Sequence, residues 1–161
     1  VLAAVVARFA ELGLRPVLAT ELEFYLVSPG DGAVPRPLLG RIPGTGLEQQ
    51  GIQFAMAEDL WQYDAFLDAV RIACEQQSVP MTTMLSEFAP GQWEINTRHV
   101  DDPLLACDHA LLLKRIVKGV ALRQVPLNGG GAHQRREQAH NSYVPNTEAR
   151  RGFGFGALRT R

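Results

Sequence analysis

Cysteine is nearly missing from this chain: Cys74 and Cys107 are the only two in 161 residues. Both fall in helix-like segments without ligand-spaced neighbours, so they read as buried thiols in a reducing compartment. No run of about 18 apolar residues occurs, which excludes a helical membrane span. No signal peptide is recognisable, and a cytoplasmic location is expected. The first residue is Val1, so a missing true N-terminus is expected too. Internal repeats are lacking. So is a G-x-x-x-x-G-K-[ST] loop, which excludes P-loop phosphate chemistry. Lysine is rare, 2 residues against 14 arginines, a bias expected of a GC-rich coding sequence.

What remains has an ordinary globular composition, 46% apolar and 20% charged. That is enough for one small domain or one piece of a larger one. The net charge of −1 hides a split. Residues 1–121 carry 9 Lys+Arg against 15 Asp+Glu, a balance of −6, and residues 122–161 carry 7 Arg against 2 Glu, a balance of +5. Those seven arginines are unclustered and have few aromatic neighbours, so nucleic-acid binding is not expected.

Apolar spacing predicts a helix over 1–12, with Gly13 as its stop. Strand composition follows over 17–27, then a long Pro- and Gly-rich loop over 28–52. Asp64 is expected to cap a helix to about residue 77 that buries Leu67, Val70 and Cys74. Strands are predicted over 81–88 and 92–98 around Ala89-Pro90-Gly91. Asp102-Pro103 reads as N-cap and N1 of a helix to about residue 122, burying Leu105, Leu112, Ile116 and Val120. After Arg123 the periodicity stops. Gly152 to Gly156 reads as flexible, since it lacks the spacing of a dinucleotide loop. This order of elements implies an α+β fold with antiparallel strands rather than alternating βαβ units.

The informative residues are acids on strands. A period of two puts Glu21 and Glu23 on one face and Leu22, Phe24 and Leu26 on the other. A solvated edge-strand face is one reading of that pair. With Pro90-Gly91 as the two central turn residues, Glu87 and Glu94 become directly opposed, roughly 5 Å apart at Cβ. Opposed like charges destabilise a sheet, and a divalent cation would offset that cost. Paired carboxylates also serve glycoside hydrolysis, but that chemistry needs two acids, not four. Four strand glutamates without nearby His or Cys suit Mg²⁺ or Mn²⁺ better than Zn²⁺. His99, His109, His133 and His140 are not expected to be ligands.

Glu21-Leu22-Glu23-Phe24 resembles the E-x-E-F strand of glutamine synthetases, and Glu87 to Asn96 resembles their E-x-x-P-G-Q-x-E-[IV]-N hairpin. Residues 101–121 resemble the helix that follows. The Pro-Gly-Gln form is most similar to the branch that γ-glutamylates amines such as putrescine. The resemblance covers about residues 1–123. It implies part of a catalytic domain from an ATP-dependent ligase that joins ammonia or an amine to the γ-carboxylate of glutamate through γ-glutamyl phosphate. It implies Glu23, Glu87 and Glu94 as ligands of one Mg²⁺ or Mn²⁺ and Glu21 as a ligand of a second, with ATP as co-substrate. It also implies a homo-oligomer at full length. Residues 124–161 depart from the pattern where a histidine strand should follow, and read as an irregular basic tail produced by a frameshift or deletion. An isolated fragment of this kind is expected to be inactive. The alternative is a non-catalytic relative kept for structure or assembly.

Overall fold

α1 (Leu2–Glu11) ends where predicted: Gly13, at φ +69°, takes the left-handed position that a side chain resists, and its N–H bonds back to Ala10. This computed structural model describes residues 1–28, 36–124, 143–145 and 159–160. Two dipeptide strands, β1 (Leu14–Arg15) and β7 (Arg159–Thr160), pair antiparallel beside α1.

The main sheet is antiparallel, in the order β3 (Arg36–Pro37), β2 (Glu21–Ser28), β5 (Gln92–Thr97), β4 (Met81–Ser86). A further strand, β6 (Tyr143–Pro145), also pairs with β2. The extended chain before β2 continues this pairing. Leu18 bridges Val100, and the Thr97 and Thr20 main chains bond at 2.9 Å.

Three helices follow or flank the strands: α2 (Ala57–Gln62), α3 (Asp64–Gln76) and α4 (Pro103–Gln124). α2 has too few apolar residues to stand out from the loop in sequence. α4 starts as expected: Asp102 accepts from the N–H groups of Leu104 and Leu105, and Pro103 fills N1. Asp64 instead lies inside α3, bonding its neighbour Ala65 rather than capping the turn.

The core lies between one sheet face and the helices. Phe24, Leu26, Trp93 and Ile95 meet Phe66, Leu67, Val70 and Cys74 of α3 and Leu113, Ile116, Val117 and Ala121 of α4. Each fully buried aliphatic side chain among them contributes about 1.5–3 kcal/mol. Tyr63 sets its ring edge-on to Trp93 at 5.1 Å. Phe24 and Phe66 sit tilted at 6.3 Å.

Two packing expectations are corrected. The buried stripe of α4 runs Ala106, Leu113, Ile116, Val117 and Ala121, while Leu105 is exposed. Leucine and valine occupy nearly the whole circumference of α4, so periodicity alone does not select its inner face. Cys107 is exposed. Only Cys74 is a buried thiol, and burial pushes its pKa up to about 11.

The described part of the long loop is tied down. Arg41 pairs with Glu48 around a small turn, and the Gln62 carboxamide bonds both the N–H and the carbonyl of Arg41 at 2.7 Å. Asp59, only 3% exposed, presses against Gly40 so closely that any Cβ there would collide with its carboxylate. Among the described residues no helix is long and apolar enough to cross a membrane. Gly152 to Gly156, His133 and His140 lie outside the described residues.

Candidate functional site

The sheet face opposite the core carries Glu21, Glu23 and Tyr25 from β2, and Gln92, Glu94 and Asn96 from β5. Glu87 follows directly on β4, on the side that Leu85 shares. The expected partition between core and carboxylate faces therefore holds for β2 and β5.

The hairpin register differs from the expected one. Ser86 pairs with Trp93 and Leu85 with Glu94, so Glu87 is a diagonal neighbour of Glu94 rather than its direct partner. The cause is the turn. Gln92 N–H bonds the Ala89 carbonyl at 2.9 Å, and Gly91 has φ +75°, the pattern of a type II turn on Pro90-Gly91. Such a turn twists against the strands, so it does not close a two-residue hairpin. Phe88 to Gly91 form a four-residue loop instead, closed where Glu87 N–H meets the Gln92 carbonyl. The directly opposed acidic pair lies across β2 and β5: Glu23 faces Glu94, with Glu21 opposite Asn96.

The four carboxylates share a region without being gathered. Among the described residues no three His, Cys, Asp or Glu side chains form a metal-holding group. Like charges keep apart, and three of the four take local donors. Glu23 accepts from the Gln92 amide at 2.6 Å, Glu94 from the Asn96 amide at 2.9 Å, and Glu87 from the Phe88 N–H at 2.8 Å. Their charges are nevertheless felt together. Burial pushes the Glu94 carboxyl above its ordinary range, the Asn96 amide pulls it back, and Glu87, Glu21 and Glu23 push it up again.

A second observation bears on what this face suits. Asn96 Oδ1 is buried and has no hydrogen-bond partner among the described residues. Its amide nitrogen is committed to Glu94, which fixes the oxygen's direction. A carboxamide oxygen on the same face as carboxylates is the type of donor a hard cation takes. The donor chemistry, all oxygen, suits Mg²⁺ or Mn²⁺, although the carboxylates are not drawn together into a cage among the described residues.

Gln92 and Asn96 were within reach of sequence reasoning, since they sit two residues either side of Glu94 and share its face. Gln53 was not. It is 1% exposed, lies directly after the long loop, and its carboxamide takes the Gly91 N–H at 3.1 Å and donates to the Gln92 carbonyl at 2.9 Å. His99 is exposed, two residues beyond the end of β5, and His109 lies on α4.

The family profile described as glutamine synthetase, catalytic domain, matches residues 1–125. The chain belongs to the glutamine synthetase family. Gamma-glutamylputrescine synthetase PuuA of Escherichia coli (strain K12) is 37% identical to this glutamine synthetase-family chain over 112 residues, 68% of it and 23% of PuuA. Glutamate–isopropylamine ligase of a Pseudomonas species is 28% identical over 113 residues, 70% of this chain and 24% of that one. The solved GmaS/ADP complex superposes with a TM-score of 0.59 at 24% identity, covering 76% of this chain and 26% of GmaS. That likeness shows the glutamine synthetase catalytic-domain fold. The chain spans about a quarter of the length of the curated relatives it matches.

Proposed function

We propose that the carboxylate face belongs to an ATP-dependent glutamate ligase, with Glu23, Glu87 and Glu94 holding one Mg²⁺ or Mn²⁺ and Glu21 contributing to a second. The observation that carries this reading is the direct opposition of Glu23 and Glu94, with Glu21 and Glu87 on diagonals of the same face. Bound cations would supply neutralisation of negative charge on the nucleotide phosphates during phosphoryl transfer to the γ-carboxylate of glutamate. Ammonia or an amine would then displace phosphate from γ-glutamyl phosphate. This chain's residues do the holding: the Gln92 and Asn96 amides orient two of the carboxylates, and the half-buried position of Glu94 limits water around them. The relatives whose names join glutamate to putrescine or isopropylamine support an amine as one such nucleophile, beside ammonia.

Spanning a quarter of its relatives, the chain alone is proposed to bind the cation without ligating. Homo-oligomeric assembly belongs to the full-length form. Calorimetry with Mn²⁺ tests the site. Binding to the unmodified chain is expected, with loss in Glu23→Ala and Glu87→Ala. Equal binding in all three would favour a structural relative. ADP release that depends on glutamate plus an amine would overturn the expected inactivity.

A further inference from the structure

We infer that Gln53 is a positioning residue for the carboxylate face, acting on Glu23 through Gln92. The inference rests on the proposed role of Glu23 as a cation ligand. Gln53 arrives from a Pro- and Gly-rich loop, yet it is one of the largest fully buried side chains in the molecule. Burying an amide is costly unless every polar atom is met, and here each is. Its oxygen accepts the Gly91 N–H at 3.1 Å, its nitrogen donates to the Gln92 carbonyl at 2.9 Å, and its own carbonyl accepts the Ser86 hydroxyl at 3.0 Å.

The polarity of this contact is dictated by main chain. Gly91 offers only a donor and the Gln92 carbonyl only an acceptor, so the Gln53 amide has one orientation. The next link is constrained in the same way. Ala89 N–H donates to Gln92 Oε1 at 3.1 Å, which leaves Gln92 Nε2 turned to Glu23, where it donates at 2.6 Å. Two side-chain amides, linked through the main chain of the apex, thus carry a fixed direction to a carboxylate on β2, the strand beside β5. The far side of the apex is also fixed, since Gly91 lies against the Leu38 carbonyl and the Pro37 ring. Gln53 therefore sets where the apex sits, and the apex sets which way the Gln92 amide points. Without the clamp, Glu23 loses its aimed donor and spreads over more rotamers.

The test uses the full chain, unmodified and as Gln53→Met, Gln92→Met and the double variant, with two readouts. The first is the Mn²⁺ dissociation constant from electron paramagnetic resonance. The second is the NMR shift and hydrogen exchange of the Gln92 side-chain amide in metal-free protein. Gln53→Met is expected to weaken Mn²⁺ about tenfold, as outer-shell partners of metal ligands do, and to release the Gln92 amide towards its solvent-exposed shift. The double variant is expected to bind no more weakly than Gln92→Met, because both act through one path. If Gln53→Met does not fold, Gln53→Glu, which keeps the Gly91 bond and loses the Gln92 one, takes its place. Unchanged Mn²⁺ affinity with an unmoved Gln92 amide would overturn the inference, as would losses that multiply in the double variant. A parent chain that binds no Mn²⁺ while its Gln92 amide is released by Gln53→Met would sink the metal reading and leave the clamp standing.

Discussion

Glu23 and Glu94 face each other across β2 and β5, two carboxylates at directly opposed positions of an antiparallel pair. Side chains so placed have Cβ atoms about 5 Å apart. Their repulsion is a standing cost to the metal-free fold, and it becomes an asset once a cation lies between or beside them.

Glu94→Gln separates those two roles. The amide oxygen keeps the Asn96 bond, and the charge is gone. The metal-free chain should gain up to about 1 kcal/mol in urea unfolding, the scale of a cross-strand pair. It should lose the stabilisation that Mn²⁺ gives the parent, which at a hundredfold excess over the dissociation constant amounts to about 2.7 kcal/mol. Melting both proteins with and without Mn²⁺ reads both effects.

Gly91→Ala should be costly for two independent reasons. A left-handed conformation costs a non-glycine residue about 1–2 kcal/mol. The added Cβ would also lie 2.9 Å from the Leu38 carbonyl, a backbone atom with little room to yield. A loss of at least 2 kcal/mol is expected, on the order of other strained backbone positions, read from the urea midpoint at unchanged slope. A loss below half that would mean the apex is not packed on Leu38.

Asp59 gives the fold a pH dependence of definite sign. Burial, with the Glu58 charge adding to it, raises its pKa above the ordinary 3.8. The folded chain therefore holds this proton more tightly than the unfolded one. The Asp59 contribution is fully present below pH 3.8 and is lost as pH rises through the raised folded value. Asp59→Asn should be more stable than the parent at pH 7 and less favoured, or equal, at pH 3. A stability difference between the two proteins that does not vary between pH 3 and pH 7 would contradict this.

Ile95→Ala probes the packing beneath the site. Ile95 is fully buried between the sheet and the helices, and truncation there should cost about 2–5 kcal/mol. Chemical denaturation gives the value directly. A cost under 1 kcal/mol would place Ile95 outside the core.

Local chemistry was what the sequence showed best. The cap Asp102-Pro103, the stop at Gly13 and the alternation of Glu21 and Glu23 with Leu22 and Phe24 each depend on neighbours within four residues, and each is found. The Glu87–Glu94 pairing depended on a turn type, and a type II turn widened the loop and moved the register. The inner face of α4 was ambiguous because its apolar residues surround the helix. Gln53 and Asp59 were invisible, since their partners lie 39 and 19 positions away in sequence, at Gln92 and Gly40. No local pattern announces a buried amide or carboxylate whose meaning is long-range.

Gln62 holds Arg41 by its main-chain N–H and carbonyl alone, so the bond does not depend on the side chain at position 41. Gln53 likewise meets only main-chain groups at the apex. The shape of the irregular stretch is thus stored in the readers rather than in the segments read. A saturation scan would show this as an inverted map: broad tolerance at Arg41 and its exposed neighbours, and sharp intolerance at Gln53 and Gln62. An engineer seeking to alter this surface has freedom at exposed side chains such as Arg41, and little at Gly40, Gly91 or what looks like plain glutamine.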